Sequence, residues 1–147
     1  MPYLRPFLKN IEIIKPNTYY EVLPFKFKTT CMLHHGVETY GVIFEVNTKK
    51  IGFLVDTLYF DGLLREYEEV DEILVINLVR ATPKSEVLHL SISDVKKILT
   101  YLRPKKVILT HFGMTMLKAN PNKVAKELSE EFKCEIIAAY DGMVISV

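Results

Sequence analysis

The sequence from residue 41 to residue 56 is GVIFEVNTKKIGFLVD, in which two apolar runs flank Asn47-Thr48-Lys49. Short apolar runs rich in β-branched residues are typical of buried strands. The pattern predicts two strands, Tyr40–Val46 and Lys50–Val55, joined by a hairpin turn. Asp56 directly follows the second strand, so a carboxylate is expected at a strand end.

The rest of the chain predicts an α/β fold, a mixed β-sheet with two main helices on one face. The first main helix is expected after Ser91, because Ser91 and Asp94 suit its N-terminal turn. The second is expected at Asn120-Pro121, a polar cap followed by proline at the first helical position. A short helix is expected around Asp61–Tyr67. Further strands are predicted within Tyr20–Thr30 (one or two strands) and at Glu72–Asn77, Lys106–Thr110, Cys134–Ala139 and Met143–Val147.

Three polar residues stand at the ends of apolar runs. Besides Asp56, His111 ends the run Val107–Thr110, and His35 lies shortly before the first hairpin strand. In α/β sheets, functional groups gather just outside the carboxyl ends of strands. Two imidazoles and a carboxylate brought together there would form a divalent-metal site. His34 stands beside His35 and is the alternative ligand from that loop.

Length and composition favour one globular domain that spans residues 1–147. A formal charge of +1 argues against nucleic-acid binding by bulk electrostatics, and DNA binding is not expected. No apolar run approaches the roughly 18 residues of a membrane span. The two distant cysteines, Cys31 and Cys134, are expected to be reduced. These features together predict a cytoplasmic protein without membrane contact.

The predicted architecture has a packing difficulty. Two helices on one sheet face leave the other face in need of cover. The run Ile73-Leu74-Val75-Ile76 is apolar at every position, so this strand would be buried on both faces. Either the N-terminal region or another chain is therefore expected to cover the second face.

Four short segments, taken together and in order, resemble motifs of the metallo-β-lactamase-fold hydrolases, in particular the phosphodiesterase and ribonuclease Z-like branch. These segments are His35–Gly41, Phe53–Thr57, His89–Ser91 and Ile108–Phe112. The intervening helix and strand also fit, and the closing Tyr140–Met143 is similar to the end of that fold. The resemblance covers approximately residues 20–147.

This resemblance implies metal-dependent hydrolysis of a phosphodiester or other ester-type bond, with a small phosphodiester or RNA as possible substrate. It implies His35, Asp56 and His111 as ligands of zinc or manganese, with Asp56 shared between two ions. It also implies a catalytic role for His89, which would orient the substrate or donate a proton to the leaving group.

The chain departs from the family at one important point. The motif H-x-H-x-D-H, which supplies most of the family's metal ligands, is absent from this sequence. The chain therefore resembles the C-terminal half of an αββα sandwich. Alone it is expected to be incomplete and inactive, and to bind metal weakly or not at all. Its open face would be covered by a second copy or by a separate N-terminal half. The alternative is a non-catalytic accessory half-domain that dimerises through its open sheet face.

Overall fold

The structure is a computed structural model that describes residues 2–84 and 86–146. Within these ranges, seven strands form one mixed sheet that carries four α-helices, so the expected α/β class is confirmed. The strands are β1 Tyr19–Val22, β2 Phe25–Met32, β3 Tyr40–Val46, β4 Lys49–Leu54, β5 Ile73–Asn77, β6 Lys106–Thr110 and β7 Glu135–Ala138. The helices are α1 Leu63–Glu66, α2 Ile92–Tyr101, α3 Met114–Ala119 and α4 Pro121–Phe132, and a 3-10 helix spans Pro2–Phe7.

The seven strands lie in the sheet in chain order. Strands β1 to β4 pair antiparallel, whereas β4 to β7 pair parallel. Because β2 and β4 are both antiparallel to β3, they run in the same direction. The carboxyl ends of β2, β4, β5, β6 and β7 therefore meet at one edge of the sheet.

Local sequence signals explain where several elements begin and end. Strands β3 and β4 are joined by Asn47 and Thr48, both with positive φ, as a type I′ hairpin turn requires. Helix α2 begins with the predicted capping pair, since Ser91 and Asp94 exchange side-chain and backbone hydrogen bonds. Helix α4 begins at Pro121, with Asn120 accepting a hydrogen bond from the Lys123 backbone.

All four helices pack on one face of the sheet, and the two main helices expected there are among them. The main core joins the buried faces of α2 and α4 to the sheet residues Leu74, Ile76 and Leu109, which are almost fully buried. Tyr67, just after α1, is also fully buried, and its hydroxyl donates a hydrogen bond to the Phe53 carbonyl at 3.0 Å. The core therefore lies between the helices and one side of the sheet.

The opposite face, here called the open sheet face, consists of Phe25, Phe44, Val46, Ile51, Phe53, Ile73, Val75 and Ile145. These side chains line an apolar groove of about 350 Å³. Phe25 and Phe53 keep 54% and 36% of their surface exposed. Among the described residues no helix packs here, so the packing difficulty predicted from the sequence is present in the structure.

Two details differ from the sequence-based expectation. Residues 143–146 form no strand, and Val147 lies outside the described residues, so the predicted strand Met143–Val147 is wrong over its described part. Ile145 instead packs against the small apolar cluster on the open sheet face. The six-residue helix α3 is not predicted from the sequence, because its N-cap residue, Gly113, has no side chain that could signal the start of a helix.

None of the helices in the described ranges has the length and apolar character that crossing a membrane requires.

Gly41→Ala should destabilise the fold by about 1–3 kcal/mol, the usual cost of overpacking a core. A Cβ atom at Gly41 would lie 1.8 Å from the Tyr67 hydroxyl oxygen, which is itself buried. Urea unfolding followed by circular dichroism measures the change in the free energy of unfolding. Gly62→Ala is the matched control, because its nearest neighbour is the Phe60 ring edge at 3.3 Å. Equal midpoints for the two variants would contradict the close packing at Gly41.

Candidate metal centre

The carboxyl edge of the parallel strands gathers three polar side chains. The register pairs Leu54 with Ile76 and Ile76 with Leu109, so β4, β5 and β6 end side by side at the edge of the sheet. Asp56 comes two residues after β4, Asn77 is the last residue of β5, and His111 directly follows β6. The parallel register thus brings together groups that are far apart in sequence.

His35 reaches this edge from the loop between β2 and β3. That loop is fastened to the segment after β4 by two hydrogen bonds. The His34 backbone N–H donates to the Thr57 hydroxyl at 3.1 Å, and the Leu58 N–H donates to the His34 carbonyl at 2.9 Å. Thr57 is fully buried, so the anchor is shielded from water. These contacts hold His35 beside Asp56.

The two nitrogens of His35 have different surroundings. Nδ1 lies 3.0 Å from the Leu88 carbonyl oxygen, which can only accept a hydrogen bond. In the neutral ring, Nδ1 therefore carries the proton, and Nε2 keeps its lone pair. Nε2 lies 3.8 Å from Asp56 Oδ2, so that lone pair is turned into the cluster. A ring fixed by a carbonyl in this way is typical of metal-ligating histidines.

His111 approaches the same carboxylate oxygen from β6. Its Nε2 lies 3.3 Å from Asp56 Oδ2. Its backbone has a φ of 58°, in the left-handed region that few residues other than glycine adopt. Such conformations concentrate at functional sites, where they aim a side chain. More than half of the His111 side chain is exposed, which leaves the cluster open to solvent on this side.

His89 is the most enclosed of the three imidazoles. Its Nδ1 lies 3.4 Å from Asp56 Oδ1, yet this buried nitrogen makes no hydrogen bond to any described residue. The ring centroid lies 4.9 Å from that of His35. Burial lowers the pKa of His89, and the attraction of Asp56 opposes this shift. The neutral imidazole is therefore favoured.

Asn77 is a member of the cluster that was not singled out from the sequence. Its Nδ2 donates a 2.9 Å hydrogen bond to Asp56 Oδ1, which fixes the orientation of the carboxylate. The signal was available, because Asn77 ends an apolar run in the same way as Asp56 and His111. The rule that located those residues also applies to Asn77.

The four sequence-predicted site residues, His35, Asp56, His89 and His111, lie around one point. One ligand atom from each of His35, Asp56 and His89 lies within 4.8 Å of the others. His111 Nε2 also lies 3.3 Å from Asp56 Oδ2. Among the described residues, however, the group that meets the 4.8 Å criterion includes His89 rather than the predicted ligand His111. The alternative residue His34 instead stacks its ring on Phe60, with centroids 4.2 Å apart.

The donor set fits a divalent cation. Imidazole nitrogens with a carboxylate oxygen are ligands of zinc and also suit other divalent first-row metals such as manganese. A cation could accept the lone pair of the buried His89 Nδ1, which has no hydrogen-bond partner among the described residues, and that of His35 Nε2, which faces the cluster.

One curated relative, the uncharacterised protein MJ1374 of Methanocaldococcus jannaschii, is 26% identical over 144 residues. The match covers 95% of this chain and 52% of the relative, so the chain spans about half the length of that protein.

Two solved structures share the fold. The metallo-β-lactamase fold protein YhfI from Bacillus subtilis superposes with a TM-score of 0.72 at 19% identity, over 88% of this chain and 53% of that one. The short form of human tRNase Z superposes with a TM-score of 0.58 at 21% identity, over 86% and 45% of the two chains. At these identities the similarity shows the metallo-β-lactamase fold.

The family comparison agrees with the fold and covers most of the chain. Residues 4–112, which run from the N-terminal segment through Asp56 and His89 to the residue after His111, match the family described as the Beta-lactamase superfamily domain. The chain therefore belongs to the β-lactamase superfamily, with the fold of its metallo-β-lactamase members.

Proposed function

We propose that this chain supplies part of the active site of a metal-dependent hydrolase that cleaves a phosphodiester or another ester-type bond. The observation that carries the proposal is the convergence of three imidazoles on the carboxylate of Asp56 at the carboxyl edge of the sheet. Each imidazole has a nitrogen within 3.8 Å of one Asp56 oxygen. Membership of the superfamily supports metal ions at this position.

We propose His35, Asp56 and His111 as ligands of zinc or manganese. A bound divalent ion would lower the pKa of water and neutralise charge on the oxygens of the scissile group. Asp56, oriented by Asn77, would provide the negative charge that holds a cation. His35 is kept in the ligating tautomer by the Leu88 carbonyl.

The proposed role of His89 is to orient the substrate or to protonate the leaving group. Its pKa is lowered by burial, so at neutral pH the free imidazole is mainly neutral. A neutral ring suits orientation by hydrogen bonding better than proton donation. The close approach of His89 to Asp56 also makes it available as a further ligand.

We propose that the site is incomplete and inactive in this chain alone. The sequence of residues 1–147 lacks H-x-H-x-D-H, and the chain spans about half of its relative's length. Residues 1–147 would then form a single domain equivalent to the C-terminal half of the fold. A separate N-terminal half, seated on the open sheet face, would bring the remaining ligands.

A small phosphodiester or an RNA is the proposed substrate class. The fold is shared with a human protein named as a tRNase, which supports a phosphodiester bond as target. We expect no DNA or membrane partner. A cytoplasmic location is proposed because Cys31 and Cys134 are both free thiols in the structure.

A second candidate is a non-catalytic accessory domain that dimerises through the open sheet face. The observation that favours it is the apolar groove of about 350 Å³, with Phe25 and Phe53 still partly exposed. Contiguous exposed apolar surface of this kind marks interaction sites. A homodimer would bury this face in both copies.

Asp56→Asn should weaken zinc or manganese binding by about 10–100-fold or more. That range is the usual loss when a residue that hydrogen-bonds to a metal ligand is mutated, and Asp56 is itself a proposed ligand. The amide keeps the shape of the side chain but removes its charge. Metal content after dialysis, by elemental analysis, and competition with a chromophoric chelator provide the measurements. Because the chain alone is proposed to be inactive, metal binding and not hydrolysis is the readout.

His34→Gln is the matched control for the metal measurement. His34 neighbours His35 in sequence but stacks on Phe60, so its loss should leave metal affinity unchanged. Wild-type affinity in Asp56→Asn, or equal losses in both variants, would overturn the proposed ligand set. Circular dichroism establishes that both variants fold.

The hypothesis of an accessory domain predicts that the wild type is a dimer and that Phe53→Glu is a monomer. The substitution places a charge in the apolar groove, where a dimer would bury it. Light scattering at several concentrations measures the mass against the 17.0 kDa chain. Leu117→Glu, an exposed position on α3 on the helical side, is the control and should not change the mass. A wild type that is monomeric throughout would exclude dimerisation through this face.

A further inference from the structure

A second cavity, here called the lysine cleft, opens beside His89. It has a volume of about 340 Å³ and lies between the segment after β4 and the start of α2. Its walls include Tyr59, Pro83, Lys84, His89 and Lys97. Because His89 lines the cleft and also faces Asp56, the cleft adjoins the cluster of imidazoles. The mechanism proposed above gives this cavity no role.

The cleft carries more positive than negative charge on its walls. Lys84 and Lys97 bring two ammonium groups, and Asp94 is the acidic side chain that lines it. One Asp94 oxygen already accepts hydrogen bonds from the Ser91 N–H at 3.0 Å and the Ser91 hydroxyl at 2.6 Å, which cap α2. The other oxygen lies 3.2 Å from the Lys97 ammonium. The carboxylate is therefore divided between the helix cap and one lysine.

The two lysines differ in how firmly they are held. The Lys97 ammonium also lies 4.8 Å from the centre of the Tyr59 ring, a cation–π contact that adds to its ion pair with Asp94 and holds it near the cleft wall. Lys84 has its ion-pair partner Glu86 at 3.9 Å, with both side chains more than half exposed. Such a pair contributes little, so the Lys84 ammonium can turn to a ligand at small cost.

We infer that the lysine cleft binds the anionic portion of the substrate next to the scissile bond, a phosphate group joined to an aromatic ring as in a nucleoside monophosphate unit. Lys84 and Lys97 would pair with the phosphate, and the apolar walls at Leu58, Tyr59 and Pro83 would take the ring. The inference rests on the proposed function for its link to hydrolysis, and it names the substrate class of that site.

Size, charge and position all support this assignment. A volume of about 340 Å³ lies within the range of small-ligand pockets, about 300–1,000 Å³. Ammonium groups bind phosphate oxygens through charge-assisted hydrogen bonds. A substrate held here would extend past His89 toward Asp56, so recognition and cleavage would use neighbouring parts of one surface.

The test measures binding of adenosine 5′-monophosphate to the whole chain by isothermal titration calorimetry, in buffer with EDTA. The double variant Lys84→Gln/Lys97→Gln should weaken binding at least fivefold. Lys96→Gln is the matched control, since Lys96 is on the same helix but pairs with Glu131 at 2.6 Å, and it should bind as the wild type does. Uncharged adenosine should bind more weakly than the monophosphate by a similar factor.

Equal binding of adenosine and its monophosphate, or unchanged affinity in the double variant, would overturn the inference. So would an equal loss in Lys96→Gln, which would indicate a general charge effect. Because EDTA removes free divalent cations, this readout does not depend on the metal cluster. Lysine-dependent nucleotide binding together with unchanged metal affinity in Asp56→Asn would support the cleft while rejecting the proposed ligand set.

Discussion

The parallel register of β4, β5 and β6 is the constraint on which the candidate site depends. It aligns the strand ends, so that Asp56 and Asn77 leave the sheet beside each other and the Asn77 amide can hold one oxygen of the carboxylate. Two of the imidazoles, His89 and His111, come from the segments that follow β5 and β6. The third, His35, comes from the loop between β2 and β3, which hydrogen bonds hold to the segment after β4. A shift of one residue between neighbouring strands would turn the buried side chains of a whole strand to the other face of the sheet, so the apolar core keeps this register in place.

The cluster concentrates groups that an isolated fold would not place together for stability. His89 keeps a buried ring nitrogen without a hydrogen bond to the described residues, and burial lowers the pKa of that ring. His111 adopts a left-handed backbone conformation. Departures from local preference of this kind are expected at functional sites, where the surrounding fold compensates for them. A bound cation would compensate for them further, because it would accept the free lone pairs.

The two faces of the sheet are covered to different extents. The helical face is covered by α2 and α4, which bury an apolar core against it. The open sheet face keeps aromatic side chains partly exposed along a groove. This asymmetry agrees with a chain that spans about half of its relative's length. A partner bound to the open sheet face would cover its exposed apolar side chains, and in the proposed function the same partner would bring the missing metal ligands.

Residues 41–56 show how far local patterns reach, since their two apolar runs and polar turn predicted β3, β4 and the position of Asp56. The capping signals at Ser91 and Asn120 predicted the two main helices for the same reason: they act over three or four residues. Local patterns of this kind were enough to predict the class of fold, most of its elements and the residue types of the candidate site. Three other features emerge only in the folded chain. Asn77 orients Asp56, the ring facing Asp56 is His35 while His34 stacks on Phe60, and residues 143–146 lie outside the sheet. These outcomes depend on contacts between distant segments, whose free energies are decided by packing and by which strands become neighbours.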